Sequence, residues 1–107
     1  MEIFKQLKNL GYKHYVDLTI EELDNLPINN IEKRIEYSLV IDWFREKYDL
    51  HIVLTVNPYS EIDTVNGYKI YDGKNELKCI ANNETRSWGY YYAREQAILK
   101  ALELIKT

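Results

Sequence analysis

Few side chains with intrinsic reactivity occur in this sequence of 107 residues, which has two histidines, His14 and His51, and a single cysteine, Cys79. A nucleophilic cysteine needs a nearby base, whereas a cysteine between Leu77 and Ala81 in an alternating segment is typical of a small core residue. His51 is open to a catalytic or pH-sensing role, or to that of an exposed strand residue. These groups and the scattered carboxylates match no catalytic spacing, so we predict that the protein is not an enzyme.

Motifs for cofactors and metals are also absent from the sequence. The glycines form no nucleotide-binding pattern, and a turn explains each of them. No cysteines and histidines are paired at the spacing of a metal site. We therefore expect no cofactor and no metal. The four glycines are Gly11, Gly67, Gly73 and Gly89.

The most informative local feature is the aromatic segment Trp88-Gly89-Tyr90-Tyr91-Tyr92. Tyrosine dominates the aromatic residues, with ten tyrosines against two tryptophans and two phenylalanines. Tyrosine is enriched at interfaces because it offers a large rigid surface with a polar tip, although an AT-rich genome would also produce this composition. An aromatic segment before a helix can stack on bases, fill a partner's pocket or close the edge of the core. The sequence leaves these three alternatives open.

Charge and hydropathy limit the classes of partner. Fourteen basic and seventeen acidic residues give a net charge of −3, without a basic segment that would neutralise phosphates. No apolar run approaches the roughly 18 residues of a membrane span, and no signal peptide is recognisable. A single cysteine cannot form an internal disulfide. We expect a cytoplasmic protein with no membrane partner.

Hydrophobic periodicity predicts four helices and three strands. Thr19 and Glu22 have the spacing of a capping box, and Asp72-Gly73 predicts a tight hairpin whose central residues have positive φ. In the longest helix, one broad apolar stripe should face a sheet, with charged residues opposite; it consists of Ile31, Ile35, Leu39, Val40, Trp43 and Phe44. The predicted helices cover residues 2–10, 20–26, 29–47 and 92–106, and the predicted strands cover residues 50–56, 67–72 and 76–82.

These elements predict an α+β fold with a three-stranded antiparallel sheet and two helices on one face, in the order α-β-β-β-α. This domain covers residues 28–107. Residues 1–27 are predicted to be a helical N-terminal extension with too few apolar groups to fold alone. With both helices on one side, the other face of the sheet is uncovered and is a candidate binding surface.

The predicted order from Asn29 to Lys106 is similar to that of the double-stranded RNA-binding domain, and the alanine-rich last helix resembles that domain's last helix. The sequence departs from the family at Tyr91-Tyr92-Ala93-Arg94, where the family has a lysine cluster, and at Asn57-Pro58-Tyr59-Ser60, where it has Gly-Pro-x-His. Those groups make the family's phosphate and minor-groove contacts. The resemblance implies nucleic-acid binding as the alternative function. Its candidate residues are Arg86, Arg94, Lys78 and Lys100.

A second resemblance rests on the helix end Trp43-Phe44-Arg45-Glu46-Lys47-Tyr48, the strand at 50–56, and Gly89-Tyr90-Tyr91-Tyr92 before the last helix. This hydrophobic pattern is similar to that of small uncharacterised accessory proteins of bacteriophages and prophages. The resemblance implies a protein that binds and blocks or redirects a host protein.

We therefore predict a non-catalytic module that binds a host or phage protein, such as a defence or transcription component. Homo-oligomer formation through the same surface is an alternative. The candidate partner-binding residues are Trp88, Tyr90, Tyr91, Tyr71, Lys69, Val53 and Ile80.

Overall fold

The computed structural model describes residues 2–56, 65–73, 76–82 and 89–106. The three strands form an antiparallel sheet in the order β1-β2-β3. This α+β class and the order of the elements confirm the predicted fold. The elements are α1 (Ile3–Asn9), α2 (Ile20–Asn25), α3 (Ile31–Tyr48), β1 (His51–Val56), β2 (Val65–Tyr71), β3 (Leu77–Asn82) and α4 (Tyr90–Lys106).

Local hydrogen bonds set the ends of the helices. The hydroxyl oxygen of Thr19 accepts from the backbone N–H of Glu22 at 3.1 Å, and the Glu22 carboxylate accepts from the N–H of Thr19 at 3.0 Å. This reciprocal pair is the predicted capping box at the start of α2. The Asn30 side chain caps α3 by accepting from the N–H of Lys33 at 3.2 Å. Helix α3 ends at Tyr48 and is followed by Asp49, whose φ of 55° is left-handed.

The inner face of the sheet contributes to the main core. Ile52 lies opposite Ile70, which lies opposite Cys79 on the far strand. Helix α4 packs on β1 and β2, and α3 packs on β1 and on α4. Three alanines of α4 bring its backbone close to the sheet, and all three are fully buried: Ala93, Ala97 and Ala101.

The hairpin between β2 and β3 lies where Asp72-Gly73 predicts it, but its turn has a different conformation. The N–H of Asp72 donates to the carbonyl of Glu76 at 3.0 Å, and the Asp72 carboxylate accepts from the N–H of Glu76 at 3.0 Å. Neither Asp72 nor Gly73 has positive φ. The expected positive φ at these two residues is therefore wrong, and a side-chain hydrogen bond joins the two sides of the hairpin instead.

The face of α3 that packs in the interior also differs from the prediction. Ile31 and Ile35 are 62% and 51% exposed, whereas Glu36, Tyr37 and Val40 are buried. Val40 and Phe44 of the predicted stripe are buried, but the buried face continues through positions 33, 36 and 37 instead of 31 and 35. The reason is that both side chains have partners inside the protein. The hydroxyl of Tyr12 donates to the Glu36 carboxylate, and the ring of Phe4 stacks on that of Tyr37.

The N-terminal segment joins the same core as the rest of the protein. Ile3, Phe4, Leu7 and Leu23 are fully buried in a cluster shared with β2 and α4. The ring of Phe4 stacks on that of Tyr37 at 5.3 Å between centroids. The described residues of the predicted helical extension, 1–27, thus contribute to the main core. The apolar groups of this extension are too few for a separate core, but they complete the one formed by residues 28–107.

Raising the pH above 10 is expected to reduce the free energy of unfolding through Tyr68. Burial of Tyr68 on the inner face raises the pKa of its hydroxyl from 10.0 to about 12. The folded state therefore holds this proton more tightly than the unfolded chain. The resulting stabilisation is complete below pH 10 and is lost as the pH rises to about 12.

Chemical denaturation across this pH range tests the effect. Tyr68→Phe removes the titrating hydroxyl, so the free energy of unfolding should fall less steeply in the variant than in the wild type. Equal slopes in the two proteins would contradict the prediction.

Candidate functional site

A groove of about 550 Å³ lies between α3 and the beginning of α4. Its described lining combines two arginines, two tyrosines, a serine and two isoleucines, and includes no carboxylate. The lining residues are Ile31, Arg34, Ile35, Ser38, Tyr90, Tyr91 and Arg94.

Helical periodicity places the α3 residues of the groove. Positions 31, 34, 35 and 38 follow the i, i+3, i+4, i+7 spacing and therefore share one face of the helix. On α4, the groove residues come from the first two turns. Gly89, with a φ of 76°, leads the chain into this helix, and its N–H donates to the carbonyl of Val65 at 3.0 Å. This hydrogen bond fixes the beginning of α4 beside the first residue of β2.

Arg94 is the most deeply buried residue of the groove, with 2% of its surface exposed. Its guanidinium carbon lies 5.1 Å from the ring centre of Tyr90, 5.9 Å from that of Tyr91 and 5.6 Å from that of Tyr37. Three aromatic faces therefore surround a cation. Burial lowers the pKa of Arg94 from its ordinary value. The guanidinium still carries its charge at neutral pH.

Hydrogen bonding of Arg94 is incomplete. Its Nη1 donates to the hydroxyl oxygen of Ser38 at 3.0 Å, and that hydroxyl donates to the carbonyl of Arg34 at 3.2 Å. The Nε and Nη2 atoms of Arg94 are buried and have no hydrogen-bond partner among the residues that the structure describes. One edge of a fixed guanidinium is thus unpaired.

Arg34 places a second positive charge at the groove. Its guanidinium carbon lies 4.7 Å from the ring centre of Tyr91, and its side chain is exposed. Among the described residues, neither Arg34 nor Arg94 has a carboxylate within ion-pair distance. The nearby carboxylate of Glu95 accepts a hydrogen bond from the hydroxyl of Tyr37 at 2.7 Å. The groove is therefore positively charged in a protein whose net charge is −3.

The outer face of the sheet forms a second surface. Val53 pairs with Lys69, and Lys69 pairs with Ile80, so these predicted partner-binding residues form one row across the strands. Val53 is 47% and Ile80 is 52% exposed. Tyr71 lies two residues beyond Lys69 on the same face and is paired with His51. The structure thus brings together the predicted sheet residues but separates them from Tyr90 and Tyr91, which belong to the helical layer.

The residues predicted for nucleic-acid binding lie in separate places. Lys78 lies within 4.0 Å of the Asp72 and Glu76 carboxylates and lines a shallow groove with Leu104 near the end of α4. Arg94 is ten residues earlier in that helix, about 15 Å away along its axis. Lys100 pairs with Glu103 at 3.2 Å. The remaining predicted residues, Arg86 and Trp88, lie outside the described part of the chain.

The reactive side chains do not converge in the described structure. The Nε2 of His51 lies 3.2 Å from Asp49 Oδ1, but both side chains are at the surface. Cys79 is partly buried and packs against the core. Within residues 2–56, 65–73, 76–82 and 89–106, no group of three or more His, Cys, Asp or Glu side chains is placed to hold a metal ion.

Sequence reasoning missed the α3 side of the groove. It assigned Ile31 and Ile35 to the core and gave no role to Arg34 or Ser38. A signal was available, since Val40 and Phe44 of the predicted stripe also align with Tyr37, and this alignment turns the isoleucines outward.

Comparison with known proteins places this chain in no established group. No family model, curated protein or solved structure matches it. The resemblances to the double-stranded RNA-binding domain and to phage accessory proteins therefore stay predictions. In the described part of the chain, no helix combines the length and hydrophobicity that a membrane span requires.

Proposed function

We propose that this chain is a non-catalytic interaction module that binds a segment of a partner protein in the groove between α3 and α4. The observation that carries the proposal is the exposure of Ile31, Ile35 and Tyr90 beside two arginines. Burial of exposed apolar side chains drives most protein association, and tyrosine and arginine are the residue types that contribute most at interfaces. The phage resemblance supports a host or phage protein as the partner.

The groove is a better candidate than the outer face of the sheet because it is concave and is lined by several kinds of side chain. On the sheet, the exposed side chains of Val53 and Ile80 flank Lys69 in a single row. In the groove, apolar, aromatic and cationic groups surround one depression. A partner segment can bury its side chains there on several sides, which excludes water more completely than a flat row does.

Paired substitutions test which surface binds. Ile35 and Val53 are β-branched aliphatic residues of similar exposure, one in the groove and one on the sheet. Affinity purification of the tagged wild type, with mass spectrometry, identifies the partner, and its affinity is then measured with each variant. Ile35→Asp should weaken binding by about thirtyfold, the equivalent of about 2 kcal/mol at an interface centre, whereas Val53→Asp should not.

Three outcomes would overturn the proposal. Loss of binding with Val53→Asp alone would assign the sheet face as the binding surface. A wild-type protein that forms a dimer broken by Ile35→Asp would make the occupant a second copy of this chain. A wild-type protein that stays monomeric and captures no partner would remove the interaction function itself.

A further inference from the structure

We infer that the groove binds an oxyanion, the carboxylate or phosphate group of an acidic partner segment, at the unpaired edge of Arg94. This inference rests on the proposed function, because it identifies the chemistry of the segment that occupies the same groove. It is carried by the two buried donors of Arg94 that have no partner.

The two unpaired atoms are the pair that recognises oxyanions. The N–H groups of Nε and Nη2 lie on one side of the planar guanidinium and point in nearly the same direction. Two oxygens of a carboxylate or phosphate can therefore accept from both atoms at once. The third nitrogen, Nη1, is already held by the hydroxyl of Ser38 at 3.0 Å. The structure thus fixes the plane of the guanidinium and leaves free the edge that makes a bidentate contact.

The tyrosines around Arg94 do not replace these hydrogen bonds. Their ring faces attract the cation, with centroids 5.1 to 5.9 Å from the guanidinium carbon. A ring face provides no lone pair in the guanidinium plane. Among the described residues no tyrosine hydroxyl has hydrogen-bond geometry at Nε or Nη2, although Tyr90 is near enough to favour the charged guanidinium. Buried donors of a charged group nearly always have a partner, and their lack of one here is the feature that a bound anion would explain.

Arg34 would supply a second contact to the anion. Its side chain is held against Tyr91 at 4.7 Å and lines the same groove. The beginning of α4 adds a partial positive charge on that side. Two arginines with no paired carboxylate among the described residues favour an anionic partner by charge complementarity.

Access to the Arg94 edge requires a side chain to move. Tyr90 is 49% exposed and lies 5.1 Å from the guanidinium, so rotation of its ring into solvent would open the edge. We therefore expect the anion to displace Tyr90, while Tyr37 stays in place through its hydrogen bond to Glu95.

The isoleucines of the groove favour an acidic peptide over a nucleic acid as the source of the anion. Ile31 and Ile35 offer apolar contact beside the arginines, which suits an aliphatic or aromatic side chain next to an acidic or phosphorylated residue. Of the residues predicted for nucleic-acid binding, Lys78 and Lys100 do not extend the groove into a track for a phosphate backbone, because both are paired with carboxylates.

Titration observed at the arginine side chains by nitrogen-15 NMR tests the inference in the intact chain. The probes are inorganic phosphate, a short capped peptide with one phosphoserine and the same peptide with aspartate instead. The Nε–H signal of Arg94 should shift and reach saturation with at least one of the three probes. Comparing the phosphate, the phosphoserine peptide and the aspartate peptide then identifies which anion binds. The signal of Arg45, an exposed arginine of α3 beside Asp42, is the internal control and should not shift.

Two variants add a measurement of affinity. Arg94→Lys keeps the positive charge but loses the bidentate edge, and should weaken binding of the responsive probe by about tenfold or more. Arg45→Lys should bind it as the wild type does. The wild-type titration is decisive even if Arg94→Lys fails to fold.

An Arg94 signal that does not shift, or one that shifts only in parallel with that of Arg45, would overturn the inference. Tighter binding of a short RNA duplex than of either peptide would overturn the choice of a peptide. The two proposals can fail separately. If no probe binds but Ile35→Asp still abolishes partner binding, the groove is a protein-binding site that recognises a different chemistry. If a probe binds but Ile35→Asp does not change the affinity for the partner, the anion site stands and the proposed function is refuted.

Discussion

Deletion of residues 1–26 is expected to abolish the cooperative unfolding transition. The deleted segment carries five buried side chains of the core: Ile3, Phe4, Leu7, Tyr12 and Leu23. At about 2 kcal/mol for each, their burial contributes on the order of 10 kcal/mol. The whole free energy of unfolding of a domain is typically about 5–15 kcal/mol, so little would remain.

The deletion also exposes polar groups that the segment satisfies. Lys33 donates from Nζ to the carbonyls of Asp24 and Leu26, and Tyr37 loses the ring of Phe4 that stacks on it. Circular dichroism during heating measures the transition. As a control, Phe4→Ala in the full chain should melt cooperatively but with a free energy of unfolding lower by about 3–5 kcal/mol. A truncated chain that still melts cooperatively would establish residues 28–107 as an independent domain.

Substitution of Glu36 by alanine is expected to lower the free energy of unfolding by about 3–5 kcal/mol, because it leaves three donors without their acceptor and each unsatisfied buried donor costs about 1–3 kcal/mol. The Glu36 carboxylate is fully buried. It accepts hydrogen bonds from the hydroxyl of Tyr12 at 2.5 Å, from the N–H of Val16 at 2.6 Å and from the N–H of Tyr15. Alanine would leave these three donors without their acceptor and would create a cavity.

Denaturant titration measures the change, with two comparison variants. Glu36→Gln keeps one acceptor oxygen and should lose less than Glu36→Ala. Glu46→Ala, at an exposed position of the same helix, should change the free energy of unfolding by no more than about 0.5 kcal/mol. A loss below about 1 kcal/mol in Glu36→Ala would show that water can replace the carboxylate, contrary to the prediction.

The features that could be predicted from the sequence are those that depend on residues close together in the chain. The capping box of Thr19 and Glu22 involves residues three positions apart, and it forms as predicted. The alternation in β1 predicts which of its residues face the core. In agreement with it, Ile52 is buried and Val53 is half exposed. Each such feature follows from the geometry of one helix turn or one strand, so short-range spacing is sufficient to predict it.

Only the tertiary structure decided the orientation of α3 and with it the groove. The predicted apolar stripe is broad, and the structure buries its Val40 and Phe44 but leaves Ile31 and Ile35 exposed. The choice depends on partners that are distant in the sequence: Tyr12 for Glu36, and Glu95 for Tyr37, which is 58 residues away. Spacing within a helix contains no information about such partners.

The chemical role of Arg94 also depends on residues that are distant in the sequence. In the sequence it is a basic residue near the start of a helix, and it was a candidate for phosphate contacts on an open surface. The structure buries it against Ser38, 56 residues earlier, and places tyrosine rings around it. Burial is what makes its two unpaired donors significant, because a solvated guanidinium would satisfy them with water. That distinction arises only when distant segments of the chain pack together and exclude the solvent.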